Sequence, residues 1–429
     1  MKGASMKLTE EEQAILEGEQ GETMAKVMKT MVLYGDVFGA THFVPVESDM
    51  GHLVTSFGLS VMKPVYALMD ELIEGGALSK QRFTVDPRPM DFQNVPSNIA
   101  QDIVFKVMYS KQKNYEKQLQ ELGLVNEDGF TCTCYMDEVG NIPKEGQFLS
   151  WAESSAVSYA NSVLGARCNR NSGIIELFGS ILGKIPYFGL LTPEGREATW
   201  EIEVQTESLP NPQLLGSAVG LAVQEEVPYI KGLSRFLGTE LTQEVKDYLK
   251  DFGAAAASNG SVGLYHVQDL TPEAVKQGTQ LLRKDAKTLV IDDAYLETVY
   301  ASYPDLWKKP DAQPKVCFIG CPHLSLEQLH SWKDKIQKAL KETGRRRVVV
   351  PTVLCAAKQV LDVFEKRAAA KALKQMGVTL TSICPLMYMN NPLCAKMPVI
   401  TASNKLRTYT GAHFLTEHEL LAKLSGGVS

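Results

Sequence analysis

The chain has 429 residues, with 44 Lys plus Arg against 50 Asp plus Glu, a formal net charge of −6. That mild acidity argues against a surface built to bind nucleic acid, and 44% apolar with 22% charged residues excludes disordered, collagen-like and low-complexity classes. The length exceeds what one hydrophobic core serves, so two or three domains are expected.

The N-terminal third reads helical. Residues 1–5 have the look of an expression remnant and are set aside. Thr9 and Glu12 have the spacing of a capping box, and Met24, Val27, Met28, Met31 and Tyr34 recur at helical spacing, a stripe expected to be core. Residues 42–46 read as a strand. Residues 61–73 read as an amphipathic helix stopped by Gly75-Gly76. Residues 83–85 read as a second strand running into Asp86-Pro87, and Ser97 is placed as the cap of one long helix reaching Gly123. The polar loop 129–146 follows. From Trp151 the residues turn small, and Ser154, Ser158 and Ser162 fall on one helical face. Such a face either packs tightly on a neighbour or offers hydroxyls to a ligand. Thr271-Pro272-Glu273 reads as a helix start.

The last third alternates. Residues 316–319 read as a strand followed by Gly320-Cys321-Pro322-His323. A helix capped by Ser325 and Gln328 comes next, with Leu329, Trp332, Ile336 and Leu340 inward and Gly344 at its end. Residues 348–350 read as a strand covered on both faces. A helix carrying Ala357, Val360, Leu361, Phe364 and Ala368 then runs to Gly377, and strands at 378–382 and 398–401 complete the set. Strand–loop–helix–strand is the pattern of a parallel α/β domain. The fold class is therefore α/β, with parallel α/β/α sheet domains. Residues 1–305 form an N-terminal and central α/β region with room for two subdomains, and 306–429 form a C-terminal α/β domain. The longest apolar stretches, such as 214–223, fall well short of the roughly 20 residues that a bilayer requires. The acidic start Thr9-Glu10-Glu11-Glu12 is unlike a signal peptide. No membrane association and a cytoplasmic location are expected.

Eight cysteines, at 132, 134, 168, 317, 321, 355, 384 and 394, include no CxxC pair. In a cytoplasmic chain they are not read as disulfides. Open parallel sheets bind ligands beyond the carboxyl ends of their strands. Cys321, Cys384 and the segment Thr401-Ala402-Ser403-Asn404-Lys405 sit there, and Cys132 can join them from the middle loop. Thiolates bind iron–sulfur clusters or soft metals, and a cluster held by only three cysteines keeps one iron coordination position open.

Thr131-Cys132-Thr133-Cys134-Tyr135, Trp151-Ala152-Glu153-Ser154-Ser155-Ala156, the run from Tyr159 to Arg167 and Gly320-Cys321-Pro322-His323-Leu324-Ser325 together resemble the aconitase X family over essentially the whole chain. The resemblance implies an aconitase-like architecture and a hydro-lyase, or dehydratase. It also implies a large subunit working with a separate small swivelling-domain subunit as a heterodimer, and either an iron–sulfur cluster or a mononuclear iron. Two substrates go with the family, cis-3-hydroxy-L-proline and mevalonate 5-phosphate.

Position by position, the resemblance gives Cys132, Cys321 and Cys384 as metal ligands. Ser403 and Lys405 become catalytic, and Ser48, Thr84, Asp86, Ser154, Ser155, Asn161 and Arg167 substrate-binding. His323 is placed behind Cys321 as an orienting group or as a helix-start hydrogen bond. Cys168, Cys317, Cys355 and Cys394 are left as structural, and Arg345-Arg346-Arg347 as a solvated helix end.

Several positions depart from the family pattern. Cys134 replaces a proline in Thr-Cys-x-Pro-Tyr, and Ser382-Ile383-Cys384 replaces Asp-Thr-Cys. The Ser-Ala-His-x-Asp loop becomes Ser48-Asp49-Met50-Gly51-His52, and Thr-x-Asn-Pro becomes Thr84-Val85-Asp86-Pro87. Asp49 and Asp86 bring acid rather than base to the expected pocket. The charge favours a small hydroxylated amino acid, cis-3-hydroxy-L-proline first, with mevalonate 5-phosphate or a non-catalytic iron-binding scaffold subunit as alternatives.

Overall fold

A computed structural model describes residues 6–54, 57–309 and 311–427; the five N-terminal residues set aside above lie outside it. The Thr9 capping box forms, with Glu12 N–H donating to Thr9 Oγ1 at 3.3 Å and Thr9 N–H to the Glu12 carboxylate at 2.9 Å. The methionine stripe is core. Met24, Val27, Met28 and Met31 are the buried face of helix Glu22–Val37. Helix Lys63–Glu74 ends at Gly75 as expected. The long helix to Gly123 is instead two. Asn98, not Ser97, caps Ile99–Met108, and a turn at 109–111 precedes Gln112–Leu122. Tyr109 is drawn inward there, its hydroxyl donating to the Met387 carbonyl at 3.0 Å, so a tertiary contact overrides continuous helix.

Strands Met50–Leu53 and Arg82–Val85 pair in parallel, with His52 opposite Thr84. Phe43–Pro45 pairs antiparallel with Lys184–Pro186. The central region holds a four-stranded parallel sheet that the sequence reading did not resolve, in the order His266–Val267, Pro228–Lys231, Ala198–Val204, Leu282–Ile291. Its covering helices, Pro212–Val223 and Gln243–Gly260, meet backbone to backbone. A Cβ on Gly260 would lie 1.9 Å from the Gly220 carbonyl oxygen, so side chains larger than hydrogen are excluded at that crossing. The small-residue helix Ser154–Ser162 packs here as well. Ser158 and Ser162 are buried, and Ser162 Oγ accepts from the Tyr265 N–H at 2.9 Å.

The C-terminal sheet has five parallel strands in the order Val378–Thr381, Thr352–Ala356, Val316–Leu324, Val399–Thr401, His413–Phe414. Three sequence expectations need correction. The strand placed at 348–350 is Thr352–Ala356, because the N–H groups of Val348 and Val349 donate to the Met376 and Leu424 carbonyls rather than into the ladder. The helix to Gly377 is two, Lys358–Phe364 and Ala368–Gln375. The first strand continues through Cys321 to Leu324, and every residue of it is buried. The Ser325–Gln328 capping box and the inward face Leu329, Trp332, Ile336 and Leu340 are as expected. Among the described residues no helix is long and apolar enough to cross a membrane.

Gly320 has φ +105°, and a Cβ there would lie 2.3 Å from the Cys355 carbonyl oxygen of the neighbouring strand. Gly320→Ala is expected to lower stability by at least about 1–3 kcal/mol from backbone strain alone. Urea denaturation of the variant against the parent chain checks this.

Candidate active site

Cys132 comes from the polar loop, Cys321 from strand Val316–Leu324, and Cys384 from the residue capping the short helix Pro385–Met389. All three line one cavity of about 280 Å³ where the first and third regions of the chain meet. Asp86, Glu153, Ser154 and Lys405 share its wall, and Val54, Phe57, Leu386, Met387 and Tyr409 make much of the rest apolar.

One histidine ties the three cysteine segments together. His323 is fully buried. Its Nε2 lies 3.0 Å from the Ile383 carbonyl, next to Cys384, and its Nδ1 lies 3.1 Å from Thr131 Oγ1, next to Cys132. Its backbone N–H points to Cys132 Sγ at 3.4 Å. A carbonyl only accepts, so Nε2 carries the proton and Nδ1 accepts from the threonine hydroxyl. Burial lowers the imidazole to about 4, which keeps the ring neutral. Behind it, the buried Lys250 ammonium donates to the His323 carbonyl at 3.0 Å and to Gln328 at 2.8 Å, anchoring the strand end to the central helix Gln243–Gly260.

Lys405 and Glu153 form a buried ion pair across the cavity wall. Glu153 caps helix Ser154–Ser162, with its carboxylate accepting from the Ala156 N–H and the Ser155 hydroxyl, each at 2.6 Å. Lys405 also reaches Ser155 Oγ at 3.3 Å. Burial by itself would raise the Glu153 carboxyl; the Lys405 charge and hydrogen bond outweigh it and hold it at about 2. Burial by itself would lower the Lys405 ammonium, but Glu153 foremost, and the neighbouring Cys321 and Cys132, outweigh it and push it well above its ordinary value.

A second charged pair sits deeper. His52 Nδ1 meets Thr84 Oγ1 at 2.8 Å, and His52 Nε2 faces Asp86 Oδ1 across 3.6 Å. Burial raises the Asp86 carboxyl to about 6, with His52 pulling the other way. For His52, burial would lower the ring, but Cys134 and Asp86 outweigh it and raise it to about 10. Cys134, where the family pattern has proline, is therefore part of the setting of His52.

Burial raises the three cavity thiols. Cys384 is pushed up to about 12, and Cys132 well above the ordinary range. Cys321 is raised too, against the pull of Lys405 and Ser403. As thiols they are protonated at neutral pH, so any metal they hold must displace protons.

The structure gathers Cys132, Cys321, Cys384, Asp86, Ser154 and Lys405 at the cavity, and leaves the other expected site residues off its wall. Ser403 caps helix Asn404–Tyr409 and donates to the Cys321 carbonyl, so it fixes the cysteine's strand. Ser155 serves the Glu153–Lys405 pair, and Thr84 backs His52. Ser48 donates to the Met50 carbonyl at 3.1 Å. Asn161 is sequestered by backbone groups of Cys168 and Gly263 and by Arg196. Arg167 donates to the Leu191 carbonyl at 2.9 Å and is not among the residues of the cavity wall. The sequence reading missed Glu153 and His52 as functional groups. The signal for Glu153 was an acid directly before a run of small helical residues, a helix N-cap position. His52 had none, because its partners come from residues 84, 86 and 134.

Removing Lys405 leaves Glu153 buried without its cation. Lys405→Met is expected to cost about 3–5 kcal/mol, and the double change Glu153→Met/Lys405→Met less than that. Urea midpoints of the single and double variants check it. Because the Glu153 carboxyl is held below its ordinary 4.5, the pair's contribution is present above that pH. It is lost as the pH falls toward about 2.

Comparison with known proteins agrees along the whole chain. Family models described as Aconitase X first, second and third domain match residues 5–194, 197–301 and 314–421. The phosphomevalonate dehydratase large subunit of Thermococcus kodakarensis is 32% identical over 363 residues, 83% of this chain and 82% of that protein. Its counterpart from Methanocaldococcus jannaschii is 29% identical over 382 residues, 87% of each. The cis-3-hydroxy-L-proline dehydratase of Pseudomonas aeruginosa is 26% identical over 393 residues, 89% of this chain and 62% of that protein. The crystal structure of Thermococcus kodakaraensis aconitase X in its holo form superposes with a TM-score of 0.78 at 27% identity, covering 97% of this chain and 99% of that one.

Proposed function

The chain belongs to the aconitase X family and is a hydro-lyase, and on that footing we propose that it eliminates water from a small hydroxylated amino acid, of the cis-3-hydroxy-L-proline type, in the cavity ringed by Cys132, Cys321 and Cys384. The observation that carries this reading is the charge of the wall. Lys405 is the one cation among the described residues lining the cavity, and it is already engaged by Glu153, whereas Asp86 offers an acceptor. A phosphate dianion calls for a cluster of Lys or Arg or a nest of backbone donors; an ammonium calls for a carboxylate.

The three cysteines fit an iron–sulfur cluster. Three thiols from three separate elements face one space, and thiolate is the donor such clusters take. Among the described residues no three His, Cys, Asp or Glu donors converge closely enough to grip a single ion. Thiols that ring a space suit a polynuclear group better than one iron atom. When bound, an iron with an open position supplies a Lewis acid for the departing hydroxyl. The chain's own residues do the rest. Asp86 accepts from the substrate's ammonium, Lys405 neutralises Glu153 and limits negative charge beside the thiols, and the apolar side chains exclude water. A small swivelling subunit, as the naming of the relatives as large subunits suggests, closes over the cavity and sets the catalytic rate.

A second reading, mevalonate 5-phosphate, is favoured by the higher identity to phosphomevalonate dehydratases, 32% against 26% for the Pseudomonas aeruginosa hydroxyproline enzyme. In that case the phosphate must be held by residues outside this cavity wall.

Anaerobic purification of the chain with its small subunit should give a chain that contains iron. Cys132→Ser, Cys321→Ser and Cys384→Ser should each lower iron and sulfide content, and Cys355→Ser should not. Full iron retention in Cys321→Ser overturns the ligand assignment. The complex should dehydrate cis-3-hydroxy-L-proline, and Asp86→Asn should weaken its use by about 1.5–3 kcal/mol. Turnover of mevalonate 5-phosphate with no activity on hydroxyprolines decides for the second reading.

A further inference from the structure

His52 and Asp86 present an arrangement that substrate assignment alone does not explain. His52 Nε2 and Asp86 Oδ1 are both buried, and neither has a hydrogen-bond partner among the described residues. They face each other across 3.6 Å, an ion-pair distance longer than a hydrogen bond. Two such groups left beside a cavity are costly unless something completes them.

His52 has little freedom to move toward Asp86. Its strand is paired with Arg82–Val85, and its backbone N–H and carbonyl are bonded to Ser150 and Ala152 at 3.3 and 3.0 Å. Its ring lies edge-on to Trp151, with centroids 5.8 Å apart. Nδ1 is held by Thr84, whose hydroxyl is in turn held by Asn141 Nδ2 at 3.0 Å. Asp86 sits just past the end of its strand, with its backbone N–H on the Leu53 carbonyl at 3.0 Å. Its side chain lines the cavity, so it is the member of the pair that meets a ligand.

We propose that His52 is a positioning residue. Fixed from behind by Thr84, Asn141 and Trp151, it holds the Asp86 carboxylate by one oxygen, so that the carboxylate faces the cavity and takes a hydrogen-bond donor of the substrate. The donor is an ammonium or a hydroxyl, and His52 itself does not touch the substrate. The geometry carries this independently of the proposed function, which enters only through the substrate used in the assay.

The test is a double-mutant cycle in the iron-loaded complex, assayed with whichever of cis-3-hydroxy-L-proline and mevalonate 5-phosphate the parent complex dehydrates. A crystal structure of the His52→Asn chain accompanies it. His52→Asn retains a group for Thr84 but loses the one facing Asp86. It should raise KM about 10- to 100-fold with a much smaller change in kcat. His52→Gln, which returns a donor toward Asp86, should recover most of that loss. In an Asp86→Asn background the His52→Asn change should matter by less than about 3-fold. In the crystal structure the Asp86 side chain should leave its place on the cavity wall. Additive effects of the two changes, or an Asp86 side chain that stays in place in His52→Asn, overturn the proposal. If the parent complex dehydrates neither compound, the proposed function fails, and the position of Asp86 in the variant structure decides this inference alone.

Discussion

The Lys405–Glu153 ion pair is the contact on which the site depends. Lys405 belongs to the C-terminal sheet domain and Glu153 to the first region, so one buried interaction bonds the two walls of the cavity. Its location at the start of helix Ser154–Ser162 is no accident of packing. The helix's first N–H groups favour a carboxylate there, and that carboxylate then attracts the one cation among the described residues lining the cavity. A buried pair of this kind gains little stability over apolar packing but is costly to break. It therefore fixes the relative placement of the two regions more than it adds to their stability.

Around that pair the protein places its thiols with neutral hydrogen bonds. His323 bonds next to Cys132 and next to Cys384 while lying two residues beyond Cys321, so a single uncharged ring sets the spacing of all three. Lys250 and Ser403 hold the backbone carbonyls of His323 and Cys321. Among the described residues the central domain contributes nothing to the cavity wall; it supports the site from behind, through Lys250 at His323 and through Gln213, which bonds Asn404 beside Lys405. The same economy explains why many polar residues near the site are not of it. Asn161 and Arg167 satisfy carbonyls that would otherwise be buried unpaired.

The cavity's chemistry follows from what surrounds each group rather than from residue type. Burial keeps the thiols protonated and His323 neutral, whereas neighbouring charge keeps Glu153 ionised at the same depth. Asp86 stands between these cases, with burial raising it and His52 restraining it.

Local chemistry in the sequence was enough for the capping boxes at Thr9 and Ser325, the methionine stripe, the inward face of helix Leu326–Glu342 and the parallel character of the C-terminal sheet, though not for the place of its strand Thr352–Ala356 or for its edge strand His413–Phe414. Each depends on residues within a few positions of one another. The cysteine motifs were legible for the same reason, since Cys132 and Cys321 sit in contiguous, unusual strings. Tertiary structure alone decided where the long helices break, because Tyr109 bonds to Met387, 278 residues away. It also decided that Glu153 is Lys405's partner, 252 residues distant, and that His52 stands behind Asp86. Polar side chains such as Asn161, Arg167 and Ser403 look alike in sequence whether they meet a ligand or a backbone carbonyl. Only the fold settles which, because a buried carbonyl must be satisfied by whatever donor the packing brings to it.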